Sequence, residues 1–382
     1  MRSSIVLLAC CVGLAAFGGS GCTFITSCPD PGASPGGSGG QNGSAGANSV
    51  LTGPFLDGSW SNVSPDFSGV VETCGPMYTL SSKPDKDLLI AGVTNHGLWA
   101  TSDGGAKWHK LGQGEGSDPI VQNTNAIIYD PDDADVYWVA GIYGDGLFRT
   151  DDDGDTFKRV GTTRHNDYVT IDFSDPRRRT LLLSGHEMQL LLKSTDEGAN
   201  FTDISSTIPG TVQYCGYPLI IAPKVYLLGC GGRGGSGNAA ILRSEDAGKT
   251  WTQLFAHGGA AAPLIASDGA YYWPQEEDSG LAVSRDDGVS FSQVVSNTVK
   301  SVTPVELPDG RIAALTSDSV AVSADGGKTW KRASPMLPFK PNGFTYSPYQ
   351  KAFFVWYFRC VATPMPSPSD AIQRFDFDFE SQ

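Results

Sequence analysis

Six copies of one short pattern run through this 382-residue chain and constrain its fold more than any other feature. Each copy has Ser or Thr, any residue, Asp, any residue, Gly, two further residues and then Trp or Phe. The copies begin at residues 101, 150, 194, 244, 284 and 323. Successive copies therefore start 39 to 50 residues apart, which is a typical period for a repeated unit of several secondary-structure elements.

Every copy of the pattern lies next to short segments with the composition of β-strands. Residues 97–100 and 241–243 directly precede a copy. Residues 251–254 and 330–332 begin at the closing Trp of a copy and continue beyond it. An Asp side chain accepts hydrogen bonds from backbone N–H groups within a turn, and glycine tolerates the positive φ that such turns require. The pattern therefore predicts six hairpin turns with structural aspartates: Asp103, Asp152, Asp196, Asp246, Asp286 and Asp325.

These six turns resemble the Asp-box of the bacterial neuraminidase repeat, which is found in a family of β-propellers that includes sialidases and xyloglucanases. The resemblance covers roughly residues 57–382. It implies an all-β fold in which each box joins the third and fourth strands of one blade. Because the box recurs from blade to blade whereas catalysis needs only one site, the resemblance also implies that the boxes support the blades and do not form a catalytic centre.

Six boxes and two remaining segments predict seven blades. Residues 343–358 predict two strands around a turn, and residues 372–379 alternate like a third strand. Residues 58–63 resemble the strand that follows a box, so we expect this N-terminal strand to complete the last blade. Such closure leaves only short, protected sheet edges. A six-bladed propeller with residues 343–382 packed elsewhere is the alternative, and in either case residues 57–382 form a single propeller.

The N-terminal segment predicts export. A basic start is followed by an apolar run over residues 5–17, which is too short to span a membrane and is typical of a secretory signal. The small residues before Cys22 resemble a bacterial lipoprotein signal, although Gly19 stands where Leu is usual. We therefore expect residues 1–21 to be removed and Cys22 to carry lipid. The protein would then be anchored to the outer membrane, or else be extracellular.

Residues 22–56 predict a flexible tether between this anchor and the propeller. Pro, Gly, Ser and Asn dominate residues 29–50, where apolar residues are few. A segment of this composition cannot bury a core and behaves as a flexible linker. The tether is expected to keep the propeller away from the membrane surface.

The charge of the chain disfavours several classes of partner. The formal net charge is −14 at pH 7, and the basic residues form no extended stripe. Nucleic-acid binding and electrostatic attraction to anionic lipid are therefore disfavoured, and the lipid anchor is the expected membrane contact. The cysteines lack the spacing of zinc ligands, and no metal or other cofactor is expected.

Export favours disulfide bonds among the cysteines outside the signal. Cys215 precedes the first strand of a blade and Cys230 ends the second, so these two are expected to pair within that blade. Cys74 lies before the inner strand of the first blade, and Cys360 follows a strand of the last. A bond between them would reinforce the closed propeller. Cys28 has no partner in this scheme.

A ligand site is expected on the face opposite the boxes, near the central channel, where propellers usually bind ligands. The loops of that face supply eight candidates: His96, Tyr143, His165, Tyr168, His186, Arg233, Trp273 and Arg359. The aromatic rings are suited to stacking on sugars, and the arginines to holding hydroxyl or carboxylate groups. The simpler interpretation is that loops are polar because they are exposed. A metal held by the three histidines is disfavoured, because their spacing is not that of metal ligands.

Two functions remain open. A glycoside hydrolase needs two carboxyl groups at a set separation, and Glu187, Asp145 and Glu276 are weak candidates from loop position alone. The resemblance favours xyloglucanase-like over sialidase activity, because the Arg-Ile-Pro motif is missing and no arginine lies between Arg2 and Arg149. A non-catalytic module that binds a polysaccharide or an envelope protein agrees better with the expected anchor and with the lack of a catalytic signature.

Overall fold

A computed structural model describes residues 51–67, 70, 77–186, 189–231, 238–276, 280–295, 298–357 and 371–381. The chain divides into two units, Met1–Ser44 and Ala45–Gln382, and every described residue belongs to the second. The expected signal, Cys22, Cys28, the tether up to residue 50 and the Cys74–Cys360 pair lie outside the described residues. Within the described part of the chain, no helix combines the length and apolar character needed to cross a membrane.

The described residues form seven small sheets, which are the blades of a seven-bladed β-propeller and confirm the predicted fold. Two short strands precede the first blade, β1 Leu51–Thr52 and β2 Ser61–Asn62. Blades one to four each have four consecutive strands, which run in order from the inner to the outer edge. They are β3 Met77–Ser82, β4 Leu89–Val93, β5 Gly97–Thr101 and β6 His109–Lys110; β7 Asn123–Tyr129, β8 Tyr137–Ile142, β9 Leu147–Thr150 and β10 Lys158–Arg159; β11 Asn166–Ile171, β12 Leu181–Gly185, β13 Leu191–Ser194 and β14 Thr202–Asp203; and β15 Cys215–Ala222, β16 Val225–Cys230, β17 Ala240–Ser244 and β18 Thr252–Phe255.

Blades five and six repeat this arrangement, and blade seven has three strands from the end of the chain. The strands are β19 Leu264–Ile265, β20 Tyr271–Pro274, β21 Leu281–Ser284 and β22 Ser292–Val295; β23 Val305–Glu306, β24 Ile312–Leu315, β25 Val320–Ser323 and β26 Trp330–Arg332; and β27 Gly343–Ser347, β28 Ala352–Trp356 and β29 Ile372–Asp376. Single turns of 3-10 helix lie at Pro65–Phe67, Ser205–Thr207 and Phe379–Ser381.

The N-terminal segment joins the last two blades. Strand β2 pairs antiparallel with β29, with Ser61 opposite Arg374, and so becomes the outer strand of blade seven. Strand β1 pairs parallel with β26 and adds a fifth strand to blade six. From the sequence, residues 51–56 are assigned to the tether, but in the structure this segment belongs to the propeller. The outer edge of blade six offers backbone groups with which β1 pairs.

Each Asp-box is a turn held by its own Asp and its own Ser or Thr. In the fourth box, the Thr250 N–H and the Ser244 hydroxyl donate to Oδ1 of Asp246 at 2.8 and 2.9 Å. The N–H of Gly248 donates to the Ser244 hydroxyl at 2.8 Å. The same three contacts recur in the other five boxes. The box aspartates therefore organise the turns between third and fourth strands.

The hydrophobic core lies between neighbouring blades. The second strands β4, β8 and β12 are buried along their whole length, because both faces of each sheet pack against another blade. One cluster joins Ile90 and Leu98 of blade one to Val139 and Phe148 of blade two. This packing fixes the inner strands, whose ends carry the site described below.

Candidate functional site

The two faces of the propeller differ in the connections that they carry. The box face carries the six Asp-boxes and the turns between first and second strands. The link face carries the turns between second and third strands and the links from one blade to the next. A pocket of about 190 Å³ opens on the link face beside the inner strands of blades one to four. Because inner strands surround the central channel of a propeller, this pocket lies at the mouth of the channel.

A β-bulge near the start of the inner strand supplies one pocket residue from each of the first four blades. The pairing between inner and second strands shifts at Tyr78, Asn125, Asp167 and Gly216, and all four residues line the pocket. Bulges re-aim side chains and are frequent next to binding and active sites. In the described parts of blades five to seven, the innermost pairings show no such shift.

Aromatic and acidic side chains complete the wall of the pocket. Tyr214 and Tyr217 come from blade four, and Glu276 comes from blade five. The half-buried Glu276 packs closely over Gly231, and a Cβ added at position 231 would overlap its carboxylate. A side chain at position 231 would therefore force the Glu276 carboxylate to move.

Asp167 orients His186 at the edge of the pocket. Oδ1 of Asp167 lies 2.8 Å from Nδ1 of His186, and the side-chain amide of Asn125 donates to the same oxygen at 3.1 Å. Because an ionised carboxylate only accepts hydrogen bonds, the proton of the first contact belongs to Nδ1 of His186. The His186 residue is only 6% exposed, so this contact fixes the orientation of the imidazole.

Tyr143 and His165 extend this cluster to the surface. The rings of Tyr143, His165 and His186 contact one another, with centroids 4.9, 5.5 and 4.7 Å apart. The backbone N–H of Tyr143 donates to Nδ1 of His165 at 2.9 Å. The proton of a neutral His165 ring is therefore on Nε2. Tyr143 itself is 59% exposed, which leaves most of its ring accessible on the link face.

The His165 imidazole is poorly suited to binding a metal. A metal on Nε2 of His165 would require the ring proton on Nδ1, which already accepts the Tyr143 N–H. Among the residues that the structure describes, no group of three or more His, Cys, Asp or Glu side chains is placed to hold an ion. The cluster is instead a fixed set of hydrogen-bonding and aromatic groups.

The structure brings together three of the eight ligand candidates, His186, Tyr143 and His165. His186 lines the pocket, as does the carboxylate candidate Glu276, and Tyr143 and His165 contact His186. His96 lies in the turn between β4 and β5 and is not part of the pocket wall. Three further candidates lie outside the described residues: Glu187, Arg233 and Arg359.

The structure corrects the expectation that Trp273 binds a ligand, because this residue is fully buried and cannot stack on one. Its ring fills the space that Gly229 and Gly259 leave open, and its indole N–H donates to the Ala261 carbonyl at 2.9 Å. The sequence assigns this residue to a loop, whereas it lies inside strand β20.

Tyr168 and Asp145 also differ from expectation. The partly buried Tyr168 ring packs against that of Tyr217, at 5.8 Å between centroids, and the preceding residue lines the pocket in its place. Asp145 forms an ion pair with Arg164 at 2.7 Å, and this guanidinium holds the pKa of the Asp145 carboxyl below its usual value. An Asp in this state is not a proton donor at neutral pH, so Asp145 is unsuited to the role of general acid.

Four wall residues were missed in the sequence: Tyr78, Asn125, Tyr214 and Tyr217. The signal that marks Tyr78 and Asn125 is a polar or aromatic residue at the second or third position of an inner strand. The number of residues from the bulge to the following box varies from 23 to 28, so the repeat alone does not locate these positions.

The wall of the pocket on blade four is held by a disulfide. Cys215 and Cys230, which the sequence predicts to pair within one blade, are bonded to each other. They lie opposite one another in the pairing of β15 with β16, and Cys215 lies between Tyr214 and the bulge at Gly216. The bond therefore restrains the segment that carries both tyrosines of this wall.

The fold and this site define a seven-bladed β-propeller with a polar and aromatic pocket at the mouth of its channel. No protein-family model matches the sequence, and no curated protein matches it. Solved structures do match. The β-propeller domain of Cps50 (Swd1) from Myceliophteria thermophila has a TM-score of 0.55 and 11% identity, covering 80% of this chain and 98% of that domain.

Two bacterial structures are similar to comparable extents. The extracellular domain of BT4673 from B. thetaiotaomicron has a TM-score of 0.54 and 13% identity, covering 80% of this chain and 43% of that one. The GH74 xyloglucanase from Xanthomonas campestris has a TM-score of 0.50 and 17% identity, covering 84% of this chain and 55% of the enzyme. At identities this low the similarities establish the fold, and function must be argued from the site.

Proposed function

We propose that this chain is a non-catalytic binding module of the cell envelope that holds a protein partner on its link face. The observation that carries the proposal is the set of exposed side chains around the pocket. Val121, Tyr143 and Tyr214 are 54%, 59% and 38% exposed on this face. Tyrosine is enriched among the residues that dominate binding energy at protein interfaces, so these residues form a natural contact patch.

The size of the pocket supports a partner that inserts one group. Its volume of about 190 Å³ is below the range of roughly 300–1,000 Å³ for drug-sized ligands. A single side chain from a larger partner fits this volume, while Tyr143 and Tyr214 contact the surrounding surface of that partner.

The polar groups of the pocket are already in place before any partner binds. Asp167 is fixed by Asn125 and His186, and blade four is fixed by its disulfide. Such preorganisation reduces the entropy that binding would otherwise cost. Lipidation at Cys22 and the tether would present this face to partners at a distance from the membrane.

Glycoside hydrolysis is the second candidate, because Asp167 and Glu276 line the same pocket and a pair of carboxyl groups is what that reaction needs. The contacts of Asp167 with His186 and Asn125 argue for a positioning role. Release of reducing ends from a polysaccharide panel, abolished by Glu276→Gln with folding retained, would establish the hydrolase in place of the binding module.

Co-purification from an envelope extract of the source organism tests the proposal. A partner should be enriched on the full chain and lost on the double variant Tyr143→Ala/Tyr214→Ala. The matched control is Tyr349→Ala, which removes a 48% exposed tyrosine from the box face. Equal recovery on all three proteins would contradict a binding role for the link face.

A further inference from the structure

The link face has a second depression, at the junction of blades six and seven. It has a volume of about 610 Å³ and is formed by residues 300–302, 315–318, 336–337 and 339–342. These are the link into blade six, the turn between β24 and β25, and the link from β26 to β27. We call this depression the junction groove.

The walls of the junction groove are held by backbone hydrogen bonds. The N–H of Lys300 donates to the Leu315 carbonyl at 2.8 Å, and the N–H of Leu337 donates to the Asp318 carbonyl at 2.9 Å. These two contacts tie both links to the turn between them. The groove is therefore a built feature of the fold.

The floor of the junction groove is apolar. Met336 is 63% exposed, the highest value among the exposed large apolar residues that the structure describes. Val302, Leu337 and Phe339 are partly buried against the core of blades six and seven. Methionine is common on surfaces that bind apolar segments, because its side chain adapts to their shape.

The rim of the junction groove carries an exposed basic residue, although the whole chain has a net charge of −14. This residue is Lys340. Asp318 is the acidic residue of the described wall, and its carboxylate is paired with Arg332 at 2.9 Å. Within the described wall, Lys340 is therefore the charge that the groove presents to an occupant.

We infer that the junction groove docks a peptide segment of a protein partner that combines apolar side chains with carboxylates. The apolar side chains would cover Met336 and Leu337, and the carboxylates would lie near Lys340. A volume of this size holds several side chains of an extended peptide. The inference rests on the proposed function, since it assigns part of the same partner to a second place on the link face.

Fluorescence polarisation tests the inference, with the full chain and a short fluorescein-labelled peptide of alternating Glu and Leu or Phe. The control peptide has Lys in place of every Glu. We expect saturable binding of the acidic peptide, weakened by salt because exposed charges are screened, and weaker binding of the basic peptide. Equal binding of the two peptides, or no binding of either, would overturn the inference.

Charge-reversal variants locate the binding. Met336→Glu and Lys340→Glu should each weaken the acidic peptide by about tenfold or more. Their matched controls are Val289→Glu and Lys328→Glu, which change an exposed apolar and an exposed basic residue of the box face and should leave the affinity unchanged. Unchanged affinity in both groove variants would refute the assignment. Co-purification distinguishes failure of this inference from failure of the proposed function. If the groove does not bind the peptide but the protein still captures a partner that depends on Tyr143 and Tyr214, only the inference fails.

Discussion

The ammonium of Lys83 lies 2.5 Å from Oδ1 of Asp153, and the Lys83 side chain is completely buried. A second carboxylate, from Asp135, lies at the same distance. Lys83 follows the inner strand of blade one, whereas Asp153 belongs to the box of blade two. This ion-paired cluster therefore joins two neighbouring blades on the box face.

Removal of Asp153 should destabilise the propeller. Asp153→Ala leaves a buried ammonium with one carboxylate fewer, and we expect the free energy of unfolding to fall by about 3 kcal/mol. Asp151→Ala in the same box removes an exposed ion pair with Arg149 and should cost less than about 1 kcal/mol. Urea unfolding measures the free energy of unfolding of both variants. Equal losses would show that the buried ion pair stabilises the fold no more than the exposed one.

Acid should destabilise the boxes in a defined pH range. The pKa of Asp246 is lowered from 3.8 to about 2, first by the Thr250 hydroxyl and then by the Thr250 N–H, and the pKa of Asp286 is lowered to about 2 by the equivalent contacts with Ser290. A carboxyl with a lower pKa in the folded state contributes stability above its unfolded pKa and loses it as the pH falls through its folded pKa.

The free energy of unfolding should therefore decrease between about pH 4 and pH 2, the interval between the usual and shifted pKa of Asp246. Urea titrations across this interval measure the slope. Asp246→Asn should reduce the slope, whereas Glu115→Gln at an exposed position should not. An identical slope for Asp246→Asn would show that this box does not contribute to acid sensitivity.

The disulfide should stabilise both the fold and the pocket. Cys215 and Cys230 are separated by 15 residues, and a loop of that length contributes about 3 kcal/mol in the chain-entropy model. Cys215→Ser/Cys230→Ser should lower the melting temperature and also weaken partner binding, since Cys215 lines the pocket. If the double variant loses stability but binds as well as the original, the bond does not restrain the binding wall.

The two N-terminal strands should contribute unequally to closure. Replacing residues 58–62 by a Gly-Ser linker removes β2 and exposes the edge of β29, so we expect a large fall in melting temperature and aggregation through the free edge. The same replacement over residues 51–56 removes only a fifth strand from blade six and should have the smaller effect. The reverse order in calorimetry would contradict this account of closure.

Much of this architecture could be predicted because the Asp-box is a local motif. Its Ser or Thr, Asp and Gly contact one another within a few residues, so the sequence itself identifies the turn between third and fourth strands. The seventh blade was predictable for a different reason: residues 343–347 and 352–356 form strands in the structure, and both were identified from their composition.

The pocket was harder to predict because it is assembled from four bulges. A bulge inserts one residue into a strand and breaks the alternation that a sequence pattern relies on, so Tyr78 and Asn125 are not among the residues predicted to form the site. The expectation for Trp273 failed because its burial depends on residues that are distant in the sequence. Its ring occupies space beside Gly229 and Gly259, and the sequence around position 273 does not indicate that this space exists.

Site-specific photo-cross-linking is the most direct test of binding by the link face, because it reports which face touches a partner in intact cells. Benzoylphenylalanine is placed at Tyr143, Tyr214 or Tyr349, which are all exposed tyrosines. We expect positions 143 and 214 on the link face to form adducts with the same protein, and position 349 on the box face to form none with it. Adducts from position 349 alone, or equally from all three positions, would contradict the claim that the link face binds the partner.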